Sequence, residues 1–256
     1  MFRGIDISHW DGDISIDENI DFIIVKATEG VNYIDNTFAS NVKKVRRLGK
    51  LLGAYHFAAL ENPAYEAQFF FNTIKDCMPL VPVLDYETER SGMVEWCEKF
   101  IDRFYQLSGI YPTLYISAYL CNDFSGSWIP DFCPLWVAGY PTPEYSDWIS
   151  RECPYNVGPW GKPDIWQFTS VLDYNGNKVD ANIAYMTEIG FLALMGLEMN
   201  VNELINELLG TKVHTSYGDF TIREILAWIY AYTRDMQPVV FDTQKRVAAL
   251  EKRIEK

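Results

Sequence analysis

The run PVLDYETE sets Asp85 and Glu87 two residues apart at the end of a stretch, Leu80, Val81, Val83 and Leu84, that is apolar enough for a buried parallel strand. Residues i and i+2 of a strand share a face, so both carboxyls should project together, with Cα atoms roughly 6.5 Å apart at ~3.3 Å rise per residue. Like charges held that close make one carboxyl keep its proton toward neutral pH. A carboxylic acid protonated there is what donation to a glycosidic oxygen requires. The same D-x-E equally suits a solvated loop, so the dipeptide alone does not decide. Two further acids have comparable settings. Asp6 lies between Ile5 and Ile7 in GIDISHW, and alternation turns it away from the faces those two occupy, toward a barrel interior or mouth. Asp180, in NKVDAN, opens the last barrel element or caps a helix starting at Ala181.

Elements able to hold such acids alternate along residues 1–190. The strand-like runs are RGIDISH, DFIIVKAT, LLGAYHFA, LVPVLDYE, TLYIS, LWVAGY and DIWQFT. Between the earlier ones, 35–48, 63–77 and 91–107 have apolar residues three and four apart, the spacing of crossover helices. This is the pattern of an α/β protein built around a parallel sheet. After Tyr111 the intervening segments fill with Pro, Gly, Ser and Trp, so the helices of the second half should give way to irregular loops.

Composition narrows the partners. The 256 residues carry 22 Lys and Arg against 35 Asp and Glu, net −13, a surface that repels phosphate backbones and anionic lipid headgroups. Neither nucleic acid nor membrane insertion is expected. Aromatics make up 15%, with 8 Trp and 16 Tyr, which makes stacking on sugar rings worth testing. The five cysteines have no C-x-x-C pair and read as reduced thiols of a protein made in the cytoplasm, without a signal peptide at its N-terminus. His9 and His56 lack a third ligand at metal spacing, so no metal or other cofactor is expected.

The motifs GIDISHW, IVKATEG (Lys26 to Gly30), GAYHF, PVLDYE, WVAGY, IWQFT and VDAN, in that order over residues 2–190, resemble glycoside hydrolase family 25. That family comprises the lysozymes (N-acetylmuramidases) of phage endolysins and of some bacteria and fungi. The resemblance implies an irregular (β/α) barrel of the modified TIM type, with five βα units followed by plainer strands. It implies cleavage of the β-1,4 bond between N-acetylmuramic acid and N-acetylglucosamine in peptidoglycan, after the enzyme has left the host cytoplasm through a pore made by another protein. It maps the family's four acids onto Asp6, Asp85, Glu87 and Asp180, with Glu87 as general acid. The second carboxylate is left as nucleophile, base or stabiliser of a reacting acetamido group.

Tyr55, Tyr115, Trp136, Tyr140 and Trp166 fall near predicted strand ends, where two or three of them are expected to face sugar. Gln167 is a candidate partner for an acetamido group, and Lys26 a cation that helps keep Asp6 or Asp85 ionised. Two readings compete with a muramidase: a barrel that binds wall glycan without cutting it, and a glycosidase of other specificity such as a chitinase. Residues 1–195 form the expected catalytic barrel and 196–256 a small α-helical module. The charge changes there: 26 acidic and 14 basic residues precede residue 198, and residues 198–256 hold 9 and 8. Val240, Thr243, Val247, Leu250 and Ile254 make a short heptad strip, so the module is expected to oligomerise, bind wall, or both.

Overall fold

A computed structural model describes residues 2–197. Its strands are β1 (Phe2–Ile7), β2 (Phe22–Glu29), β3 (Tyr33–Ile34), β4 (Leu51–Phe57), β5 (Val81–Asp85), β6 (Thr113–Ser117), β7 (Leu135–Ala138), β8 (Ile165–Tyr174) and β9 (Asn177–Ala184). They run β1-β9-β8-β7-β6-β5-β4-β2-β3, and β1 also pairs with β2, so eight strands close into a barrel with β3 as an appendage of β2. All neighbours around the ring are parallel except β9, which runs antiparallel to both β8 and β1.

Closure sorts side chains by alternation. Inward positions form one cluster, including Phe22, Ile24, Val81, Val83, Trp136 and Ile165, while outward positions such as Ile5, Ile7, Ile23, Val25 and Leu84 pack in a second cluster with the surrounding helices. Two inward glycines make room for bulk across the barrel. A Cβ on Gly4 would lie 2.2 Å from the Phe22 ring, and one on Gly53 2.9 Å from Ile24 Cγ1. Phe191 and Met195, from the segment that follows β9, join the inner cluster, Phe191 with its ring 5.0 Å from that of Phe22 at the start of β2. They plug the end where the parallel strands begin and leave the opposite end, where those strands finish, for chemistry.

The helices are α1 (Phe38–Arg47), α2 (Pro63–Ile74), α3 (Met93–Ser108), the single turn α4 (Ile129–Phe132) and α5 (Glu188–Leu194). The first three fill the crossovers expected at 35–48, 63–77 and 91–107. Asn62 caps α2 by accepting from the backbone N–H groups of Ala64 and Tyr65, ahead of Pro63 at the first helical position. Fewer βα units carry a full helix than the resemblance implies. A 3-10 turn at His9–Asp11 follows β1, and the connections beyond β6 hold only 3-10 turns and α4, as their Pro- and Gly-rich composition suggests. β8 continues well past the expected IWQFT and returns as β9 through Asn175 and Gly176, both at positive φ, a type I′ hairpin turn. Asp180 therefore sits within a strand and not at a helix cap. α5 ends at Leu194, followed by Gly196 at φ 71°. The helical module expected over 196–256, with its heptad strip, lies from residue 198 onward outside the described residues.

Candidate active site

Asp6 faces the barrel interior, opposite to Ile5 and Ile7, because β1 pairs on both sides and alternation is enforced. Its Oδ2 accepts hydrogen bonds from Gln167 Nε2 at 2.9 Å and Asn182 Nδ2 at 2.7 Å. The orientation of both amides is fixed from behind. Trp136 Nε1, which can only donate, gives its hydrogen to Asn182 Oδ1 at 2.8 Å. The Tyr115 hydroxyl donates to Gln167 Oε1 at 2.7 Å, and the Tyr140 hydroxyl donates to the same oxygen. A connected, buried network thus aims two N–H groups at one carboxylate oxygen. Burial still wins over these bonds and lifts the Asp6 pKa to about 6, with the charges of Asp11 and Glu87 adding to it. Asp180 stands directly across the β1/β9 pair from Asp6, where Cβ atoms are typically ~4.5–5.5 Å apart. Burial and then the Asp6, Asp11 and Glu87 charges push it up to about 8.

Asp85 points inward above Val81 and Val83. Its Oδ1 is buried without a hydrogen-bond partner among the described residues. Burial, then Glu87 and Asp6, hold its carboxyl well above the usual range, against the pull of Lys26. β5 ends at Asp85, so Glu87 lies beyond the strand the D-x-E pattern invokes, at the exposed rim. It is partly desolvated there, which raises its carboxyl, and Lys26 opposes the rise. The charge of Glu87 is felt at Asp6, Asp85 and Asp180, so the four acids interact at one mouth. Lys26 is buried inside the same end of the barrel. Its Nζ donates to Glu29 Oε2 at 2.7 Å and lies 5.0 Å from the centre of the Phe57 ring, so its direct partner is Glu29 and not one of the four acids.

The five aromatics separate. Tyr140 is 37% exposed and Tyr55 is half-buried beside the acids, whose charges it feels. Tyr115 and Trp136 are buried edge to face, with ring centres 4.6 Å apart, and act as donors to Gln167 and Asn182 and not as open faces. Trp166 departs from expectation. It is fully buried in the outer cluster, donating Nε1 to the Gly139 carbonyl at 2.8 Å, because its neighbour Gln167 takes the inward position. Asn182, missed as a site residue, was legible as the i+2 partner of Asp180 on one strand face. Asp11, whose charge is felt at Asp6 and Asp180, was also missed and lies on a 3-10 turn for which an apolar pattern gives no signal.

A closed barrel with interacting carboxyls of raised pKa where its parallel strands end, and with rings beside them, is the architecture of a glycosidase-class acid–base site. Residues 5–177 match the glycosyl hydrolases family 25, and the chain belongs to that family. Lysozyme M1 of Streptomyces globisporus is 32% identical over 158 residues, 53% of this chain and 54% of that protein, so the chain spans about half that relative's length. The autolytic lysozyme of Clostridium acetobutylicum is 28% identical over 228 residues, covering 77% of this chain and 68% of its own. The solved structure of a muramidase from Trichobolus zukalii matches with a TM-score of 0.64 at 28% identity, over 77% of this chain and 100% of that one.

Proposed function

We propose that the protein is a muramidase that hydrolyses the β-1,4 bond between N-acetylmuramic acid and N-acetylglucosamine in peptidoglycan. The observation that carries this reading is the set of four carboxyls at one barrel mouth, linked by the charges of Glu87 and Asp6 and all with raised pKa. Asp85 and Glu87 together retain a proton toward neutrality, and in the free protein the more deeply buried Asp85 holds it more firmly. A substrate acetamido N–H donating to the unpartnered Asp85 Oδ1 favours the charged form of Asp85. The proton then passes to Glu87, whose place at the rim suits delivery to the glycosidic oxygen. The Asp85 carboxylate is left to stabilise positive charge developing at the reacting sugar. Asp6, fixed by the amide network, and Asp180 across the strand pair from it hold the adjoining ring.

Glu87→Gln keeps the shape but carries no transferable proton, so clearing of a cell-wall suspension should slow by at least ~10²-fold. Equal clearing by the folded variant and the wild type would remove Glu87 from this role, and no clearing by either would favour a barrel that only binds glycan. The same proposal places the enzyme in phage-type lysis after cytoplasmic synthesis, for which the five unpaired cysteines are suited. It also has copies associate through residues 198–256, on the strength of the heptad strip in their sequence. Among the described residues no helix is long and apolar enough to cross a membrane.

A further inference from the structure

Trp10 is 83% exposed, more than any other large apolar side chain among the described residues. An indole left in water forgoes the burial of roughly 150–250 Å² that makes aromatic rings valuable inside a fold. Nothing about its backbone is loose. The Ser8 N–H and hydroxyl donate to Asp11 Oδ2 at 2.7 and 3.2 Å, and the Trp10 N–H donates to Ser8 Oγ at 3.2 Å, which closes a capping box around the turn. On the other side the His9 N–H reaches Asp35 Oδ2 at 3.2 Å, and His9 Nδ1 lies 2.7 Å from the same oxygen. Asp35 is itself buried and fixed by the Thr37 N–H and hydroxyl at 2.9 and 2.6 Å. Two carboxylates thus pin the residues flanking an exposed tryptophan.

That tryptophan is continuous with the acid site. It follows Asp6 by four residues, at the end of β1 that faces the mouth, and the charge of its neighbour Asp11 is felt at Asp6, Asp180 and Tyr55. Rings connect it inward. His9 lies 4.4 Å from Trp10 between centroids, Tyr33 lies 6.2 Å from His9, and Lys26 Nζ lies 5.8 Å from the Tyr33 ring. Three rings at the rim, Trp10, His9 and Tyr33, thus lead step by step to the buried Lys26 ammonium inside the barrel. A rigid, flat, water-exposed ring in line with a glycan cleft fits the C–H face of a pyranose, which needs no charge on either partner.

We propose that Trp10 is a sugar-binding platform that takes a further N-acetylated sugar of the glycan strand, beyond the two rings that flank the bond to be cut, and so makes the enzyme prefer long strands. This rests on the muramidase reading above. The test measures kcat/KM of the full chain on peptide-free wall glycans, a tetrasaccharide and an octasaccharide, for the wild type, Trp10→Ala and Trp10→Phe. The preference for the octasaccharide should fall about tenfold in Trp10→Ala, the equivalent of about 1.4 kcal/mol, mainly through KM, and Trp10→Phe should recover most of it. An unchanged length preference in Trp10→Ala would overturn the platform. So would an effect confined to glycan that still bears its stem peptides, which would transfer the contact to the peptide. Should the wild type cut neither glycan, the muramidase reading fails by itself, and the platform is judged by indole fluorescence during octasaccharide titration. A binding response lost in Trp10→Ala supports it, and identical titrations of both proteins overturn it.

Discussion

Asp6 and Asp85 are buried and Asp180 half-buried, and the fold keeps all three although each is harder to ionise there than in water. Two consequences can be measured. Lys26 lowers the pKa of both Asp85 and Glu87. Lys26→Met removes that pull, so both carboxyls rise and the acid limb of the pH–rate profile, which needs one of them ionised, should move to higher pH by about half a unit or more. An acid limb that stays in place would show that Lys26 serves only its ion pair with Glu29. For Asp180 the consequence is stability. Its folded pKa of about 8 exceeds the ordinary 3.8, so the folded state keeps a proton that the unfolded state releases, and stability drains away as pH rises from ~4 to ~8. Asp180→Asn should leave thermal stability nearly unchanged at pH 4 and raise it at pH 8, by ~2–4 °C for each kcal/mol recovered. An equal effect at both pH values would contradict the burial account. Asp6 and Asp85 were legible from sequence because strict alternation within apolar strands leaves one direction for each. Trp166 and Gln167 could not both face the cleft under that same rule, and the amide was the one turned inward.

Elements are held to the site by contacts remote from it. The buried ring of His56 on β4 bridges β2 and α2. Thr28 Oγ1 lies 2.8 Å from its Nδ1, and Glu66 Oε2 lies 2.8 Å from its Nε2. Glu66 also accepts the backbone N–H groups of Ala59 and Glu61, which fixes the loop that leaves β4 at the mouth. Burial lowers the His56 pKa, in keeping with a neutral ring that accepts from Thr28 and donates to Glu66. His56→Phe keeps the stacking with Phe100 but leaves a buried carboxylate short of a donor, so urea denaturation should show a loss of about 3 kcal/mol. A loss below ~1 kcal/mol would mean that the chain of bonds is incidental. The three long helices fall within a few residues of their expected positions because their apolar spacing is regular. β8 runs on past the expected IWQFT, and β9 begins at Asn177, ahead of Asp180, for which the start of the last barrel element was one of two expectations; Asn177 to Val179 are held by the turn and by pairing with β8, and β1 joins only from Asp180. Pattern within one segment cannot report support that arrives from a turn and a neighbouring strand.

For the molecule as a whole, the described residues already contain the barrel, its plug and all four acids. A chain ending at Leu197 should therefore cut glycan in solution at close to the full-length rate. Light scattering at micromolar concentration should find that shortened chain monomeric and the full chain associated; a monomeric full chain would remove the role given to residues 198–256. The central claim is the bond that is cut, and analysis of the reducing ends released from purified peptidoglycan tests it most directly. The wild type should release new reducing ends on N-acetylmuramic acid, and Glu87→Gln next to none. Reducing ends on N-acetylglucosamine, or none from the wild type, would contradict it.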